Sequence, residues 1–321
     1  MTEVVTSGIT WEVISDFQPI GVSRVAKITE SGKFTDTFKA AADPNYGNGK
    51  WISLSTRMAA KYNTAPGPIP VVYRATAYYA GDEPAKQNQD LPENAEILGS
   101  VQVTANGQSE ISASFTAMKP GFVTVVWEVK KSEQGALAEL IHADWHDDYG
   151  IPAETISYRH QLEIDTALSI RTTKSGTYLV DDVFVKGLPE NHSDFSGDGR
   201  FAADLPEIEQ KLLFFPQGLP VTDNNISKAE TIGSGTKIPA RNGFYPSVGT
   251  TDFQLKQNAD GTLIPGTYVF VTSFIGDNRA APFTTSVTDP NEQYVAANTP
   301  SLHTTLTFHG KNLFQLLESK S

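Results

Sequence analysis

The sequence predicts an all-β protein made of two antiparallel β-sandwich modules in tandem, related by internal duplication. Three observations carry this reading. First, runs of β-branched and aromatic residues recur between turn formers. Examples are Val123-Thr124-Val125-Val126-Trp127 after Pro120-Gly121, and Thr267-Tyr268-Val269-Phe270-Val271 after Pro265-Gly266. Such runs fit a pleated, half-buried surface, and their Gly, Pro, Asn and Asp flanks make turns. Second, helical periodicity is confined to a turn near 54–62 and the tail 311–318. Third, a set of short motifs recurs in the same order.

Ser31-Gly32 returns as Ser175-Gly176, and Asp36-Thr37-Phe38 resembles Asp182-Val183-Phe184. Residues 74–79 align with 210–215. Ala95-Glu96-Ile97-Leu98-Gly99-Ser100 returns as Ala229-Glu230-Thr231-Ile232-Gly233-Ser234, Asn106-Gly107 as Asn242-Gly243, and Pro120-Gly121 as Pro265-Gly266. The offset varies between 134 and 146 residues, as loop insertions between kept strands produce. A repeat of this length is domain-sized, so each copy is expected to hold its own core, unlike the short units of a solenoid.

The expected organisation is a linker over 1–15, a first module over 16–158 and a second over 159–295. Residues 296–321 read as the start of a truncated third module or a tail, because 298–306 resembles the opening strand 167–173. The chain then reads as an excerpt of a longer array. Each module offers about seven strand candidates separated by turn signals, the pattern of an immunoglobulin-like sandwich. The loops 41–50 and 188–201 exceed ordinary hairpin connections, and long loops are where binding residues concentrate.

Composition narrows the function. With 39% hydrophobic residues the 321-residue chain can build cores. Asp plus Glu is 37 against 25 Lys plus Arg, a formal net charge of −12. Without a basic block it is a poor partner for nucleic acid or an anionic membrane, both of which need positive charge. No run approaches the ~20 apolar residues of a membrane span, and Met1-Thr2-Glu3 does not open like a signal peptide. Cysteine is absent, which removes disulfides, thiol catalysis and thiolate metal sites. No nucleophile elbow, phosphate loop or dinucleotide fingerprint occurs, so neither an enzyme nor a cofactor is expected.

Several segments resemble a known family. Phe17-Gln18-Pro19-Ile20 followed by Ser31-Gly32-Lys33-Phe34-Thr35-Asp36-Thr37-Phe38 is similar to a module start, as is Ser175-Gly176-Thr177-Tyr178-Leu179-Val180-Asp181-Asp182-Val183. Val125-Val126-Trp127-Glu128 resembles the motif that names the VaFE repeats, with Trp in place of Phe. The likeness covers about 16–300 and points to the repeated immunoglobulin-like modules of large surface-anchored actinobacterial proteins. It implies a non-catalytic stalk or adhesin segment, extracellular and cell-wall attached in its parent. Its partner would be a protein or glycan on a host or neighbouring cell. The alternative is a carbohydrate- or protein-binding module, including an accessory piece of a secreted glycoside hydrolase.

Candidate sites follow from residue types. In a strand, His142, Asp144 and His146 share one face, and two imidazoles with a carboxylate are zinc ligands. A solvated module end accounts for the same residues. Asp194, Ser196 and Asp198 space oxygens like the opening of a calcium loop, but Leu205 stands where its twelfth-position acid belongs. A covalent cross-link of stalk type needs a buried amine or hydroxyl, an acyl acceptor and a buried acid. Lys27 or Lys39 with Glu128 supplies parts of this in the first module. The VaFE likeness suggests an ester between Thr166 and Gln293 in the second. The repeat alignment pairs Glu128 with Ser273, so the expected outcome is no cross-link. Trp51, beside an Asn-Gly loop, is the candidate sugar-stacking platform.

Overall fold

The computed structural model describes residues 16–87, 89–249 and 251–297. The expected linker over 1–15 lies outside them, as do residues 298–321 of the expected third-module start or tail over 296–321. The chain is mostly β, with 49% in strands and 11% helical, well under the one-third helix of an average globular protein. It divides after Tyr158 into two compact units.

The first unit contains β1 (Pro19–Val25), β2 (Lys33–Ala42), β3 (Ser53–Leu54), α1 (Thr56–Lys61), β4 (Gly67–Pro68), β5 (Pro70–Gly81), β6 (Glu96–Asn106), β7 (Glu110–Thr116), β8 (Gly121–Val129), β9 (Trp145–His146) and β10 (Thr155–Tyr158). One sheet has the order β1-β2-β7. The other runs β10-β8-β5-β6, with β9 also on β8. All these pairings are antiparallel.

The second unit contains β11 (Glu163–Thr173), β12 (Gly176–Lys186), β13 (Glu207–Pro216), β14 (Glu230–Pro239), β15 (Gly243–Val248), β16 (Gly266–Phe274), β17 (Phe283–Thr284) and β18 (Gln293–Ala296). Its sheets are β11-β12-β15 and β14-β13-β16-β17, with β18 also on β16. Strand for strand, β11, β12 and β15 answer to β1, β2 and β7, while β13, β14, β16 and β18 answer to β5, β6, β8 and β10.

Period-two patterning builds both cores. In the first unit Val71, Tyr73, Ala75 and Ala77 of β5 and Val123, Val125, Trp127 and Val129 of β8 are fully buried. Ile208, Leu212 and Phe214 of β13 and Tyr268, Phe270 and Phe274 of β16 do the same in the second. The repeated Pro-Gly has a packing cause. A Cβ on Gly121, at φ +132°, would lie 2.5 Å from the Tyr79 ring, and one on Gly266 would lie 2.4 Å from Phe214. Each glycine lets an aromatic of the neighbouring strand close over the start of β8 or β16.

The registers refine the motif alignment. Phe38 pairs with Ser23, and Val183 pairs with Thr166. The counterpart of Asp36 is therefore the buried Asp181, not Asp182. Likewise Trp127 pairs with Ala75 and Thr272 with Gln210, so Gln210 answers to Ala75 rather than Arg74. Both corrections are one residue, and one residue in a strand exchanges the core face for the solvent face.

Candidate functional site: a buried hydroxyl–carboxyl tie in each module

Each unit carries buried acids, one on an inward strand position and the others on the segments beside the last strand. In the first, the Ser23 hydroxyl of β1 donates to Glu154 Oε1 at 2.5 Å. Glu154 lies just ahead of β10, 131 residues along the chain. In the second, the Thr166 hydroxyl of β11 donates to Glu292 Oε1, also at 2.5 Å, just ahead of β18. Both lie at the short end of the range for O–H···O bonds. In both units, then, the first strand is tied to the residue before the last.

Beside each tie lies a buried aspartate, Asp36 on β2 or Asp181 on β12, both 0% exposed. Its hydrogen-bond donor differs between the units. Asp36 Oδ2 accepts from the Trp127 indole N–H of β8 at 2.6 Å. Asp181 Oδ2 accepts from Gln210 Nε2 of β13 at 2.6 Å, and Gln210 also reaches the Thr272 hydroxyl at 3.2 Å. A small Ala75 beside a large Trp127 is exchanged for a large Gln210 beside a small Thr272. Each unit thus has a buried aspartate with a side-chain donor, on β8 in the first and on β13 in the second. The exchange also divides the packing. Trp127, stacked on Phe38 at 4.6 Å, lies within one continuous core, whereas the Asp181–Gln210–Thr272 layer lies between two apolar clusters.

The first unit adds Asp147, whose Oδ1 accepts from the Trp127 backbone N–H at 2.8 Å. Burial is the largest cause raising all of these acids. Glu154 is pushed up to about 7, against hydrogen bonds from Ser23 and Asp147, and the charge of Asp36 raises it further. Asp147 is raised more strongly by burial and by Glu154. Burial lifts Glu292 to about 7 and Asp181 well above the carboxylate range, the latter helped by Glu292. Burial raises Asp36 as well, opposed by Trp127 and Ser23. One oxygen of each acid meets no N–H or hydroxyl donor: Asp36 Oδ1, Asp147 Oδ2, Glu154 Oε2, Asp181 Oδ1 and Glu292 Oε2. Two neighbouring carboxyls sharing a proton satisfy such oxygens. A cleft of about 180 Å³, walled by Tyr78, Tyr149, Leu91, Glu128 and His146, reaches Asp147.

The sequence-predicted residues fall elsewhere. Glu128 is not the buried acid: it lies on the outer side of β8, paired with Lys130 at 3.0 Å and Arg74 at 3.5 Å. Lys27 and Lys39 are exposed, so neither is the desolvated amine a nucleophile requires. Thr166 meets Glu292 rather than Gln293, whose side-chain amide donates to Val287 O at 2.8 Å. The acyl group facing each hydroxyl is thus a carboxyl, and condensing it would release water, not ammonia. Trp51 is half-buried, edge-on to Phe17 and donating to Ile69 O at 2.9 Å, so it offers no open platform.

His142 pairs with Asp16 at 2.9 Å, Asp144 accepts from the Lys131 backbone N–H at 2.7 Å, and His146 Nδ1 contacts Asp147 O at 2.9 Å. In the calcium-like loop, Asp194 is paired with Arg241 and Asp198 with Arg200. The two histidines and Asp144 do not converge, and in the calcium-like loop both carboxylates face guanidinium groups. Among the described residues one set does converge: His192, Asp204 and Asp277 bring their ligand atoms within 4.8 Å of one another. It does not suit a metal. His192 Nδ1 faces Ala240 O at 2.7 Å and Nε2 faces Asp277 Oδ2 at 3.0 Å. Both partners only accept, so the ring is an imidazolium with no lone pair to give. The Arg279 guanidinium already fills Asp204 at 3.1 Å. The cluster is a charge-balanced buried network.

Nothing in the sequence reading pointed to Ser23, Glu154 or Glu292. The one available signal was Asp36 and Asp181, each alone in an alternating apolar strand. Compared with models of known protein families and with curated proteins, the chain matches none.

Proposed function

We propose that the chain is a non-catalytic segment of a bacterial surface stalk or adhesin, made of two immunoglobulin-like modules that arose by duplication. It would be extracellular, cell-wall attached in its parent, and would hold a binding region away from the wall. The observation that carries this reading is the repeated tie, Ser23–Glu154 and Thr166–Glu292. In each module it joins the two ends through which tension would enter and leave. Matching strand orders and the kept buried aspartates support descent from one module.

The test is single-molecule pulling on the whole chain through its ends. Two extensions of roughly 50 nm are expected, from ~140 residues at ~3.6 Å each. The S23A and T166A variants should each lower one unfolding force. Forces unchanged by both would remove the mechanical reading. A second reading, a glycan- or protein-binding module, is favoured by Phe184 and Phe244. They are cross-strand neighbours, 40% and 45% exposed. A glycan array comparing wild type with F184A/F244A separates the two readings.

A further inference from the structure

We propose that the two ties are proton-operated: each module is held tight while its buried carboxyls share protons and slackens when they lose them. This rests on the tie being the element that joins the module's ends.

The geometry is acidic on every side. Glu154 is faced by Ser23 from β1, Asp36 from β2 and Asp147 from the segment after β9, with the Trp127 N–H groups of β8 serving the two aspartates. Glu292 is faced by Thr166 from β11 and Asp181 from β12, with Asp289 on its own turn. Gln210 of β13 faces Asp181 and Thr272 of β16 faces Gln210, while Asp182 adds a further negative charge. Among the described residues, the charges that act most strongly on these five acids are other carboxylates, and Arg24 reaches Asp36 through its backbone N–H. Buried carboxylates without a cation cannot all be ionised, because desolvation and mutual repulsion add. A proton held between two carboxyls removes one charge and gives an orphaned oxygen its partner. Ser23 and Thr166 then donate to the remaining acceptor.

The sign follows from linkage. An acid whose folded value is raised binds more protons folded than unfolded, so stability falls as pH rises. The loss begins above the unfolded Glu value near 4.5 and runs through about 7 for Glu154 and Glu292. Each such site weakens the folding equilibrium by up to about tenfold per pH unit. The first module holds three acids and the cleft to Asp147, the second two, so the acids of the first should respond more steeply, while His192 adds to the second a loss of the same sign that E292Q leaves in place.

The experiment is calorimetric unfolding of the whole chain between pH 5 and 8.5, for wild type, E154Q, E292Q and the double variant. Glutamine has the shape of the protonated acid and cannot ionise. Wild type should lose transition temperature as pH rises, and each variant should flatten the loss in one module. An infrared carbonyl band of protonated carboxyl should persist in wild type at neutral pH, a readout that does not depend on the variants folding. A flat wild-type profile, variants with the wild-type slope, or no such band would each overturn the proposal. If the pH response is absent while S23A and T166A still lower the unfolding forces, the tie stands and only its proton operation falls.

Discussion

Ser23 and Glu154, 131 residues apart, share a buried 2.5 Å hydrogen bond, and Thr166 and Glu292, 126 residues apart, make a part-buried one of the same length in the second unit. A contact of this sequence separation constrains almost the whole module between its ends.

Removing one hydroxyl leaves a buried carboxyl short of a donor. S23A and T166A should each cost about 1–3 kcal/mol, the usual penalty for an orphaned buried polar group. Denaturant unfolding of the whole chain measures it, and losses under about 0.5 kcal/mol would show the ties to be incidental.

The donor exchange predicts compensation. W127T alone in the first module opens a cavity and strips Asp36 of its donor, at about 3–5 kcal/mol. A75Q alone crowds the Trp127 ring. Together they recreate the Gln210–Thr272 arrangement, so the double variant should be more stable than the sum of the singles implies. A coupling of zero in the double-mutant cycle would refute the structural equivalence.

The intact mass should equal that of the unmodified sequence. The hydroxyls face carboxyls instead of side-chain amides, and a Ser or Thr hydroxyl is a weak nucleophile without a base, a role that carboxyls already holding protons do not fill. A deficit of about 18 Da, one water, would show that a hydroxyl had condensed with its glutamate; peptides holding Ser23 with Glu154, or Thr166 with Glu292, would locate it.

His192 predicts a separate pH effect in the second module. Burial opposes its charge, but hydrogen bonds to Asp277 and Ala240 lift it above its ordinary value. Its contribution is complete below about 6.5 and is lost as pH rises through the raised folded value. Asp277 is opposed by burial yet held low by His192 and by the backbone N–H groups of Leu205, Ala280 and Arg279. H192A should cost about 3–5 kcal/mol by leaving that buried charge unpaired. Hydrogen exchange in the 188–205 loop should rise with it, and unchanged protection there would contradict the role.

Calcium should leave the transition temperature unchanged, with or without chelator. The carboxylates of Asp194 and Asp198 are occupied by Arg241 and Arg200, so a cation would have to displace both guanidinium groups.

The all-β class was legible because it rests on local patterns. Alternation in Val123-Thr124-Val125-Val126-Trp127 and the Pro-Gly starts of β8 and β16 are readable from neighbours alone. The misreading of Asp182 for Asp181 shows the limit: an alignment of motifs tolerates a slip of one, and a strand face does not.

By itself the sequence determined which stretches form strands and where they turn, because side-chain alternation and turn chemistry act over a few residues. Only the tertiary structure decided which polar groups meet. Ser23 finds Glu154, and Gln210 stands in for Trp127, because sheet register and sandwich packing bring together residues more than a hundred positions apart. Burial in that packed interior then gives ordinary carboxyls their raised proton affinity. Neither separation nor dielectric is written in any local run of residues.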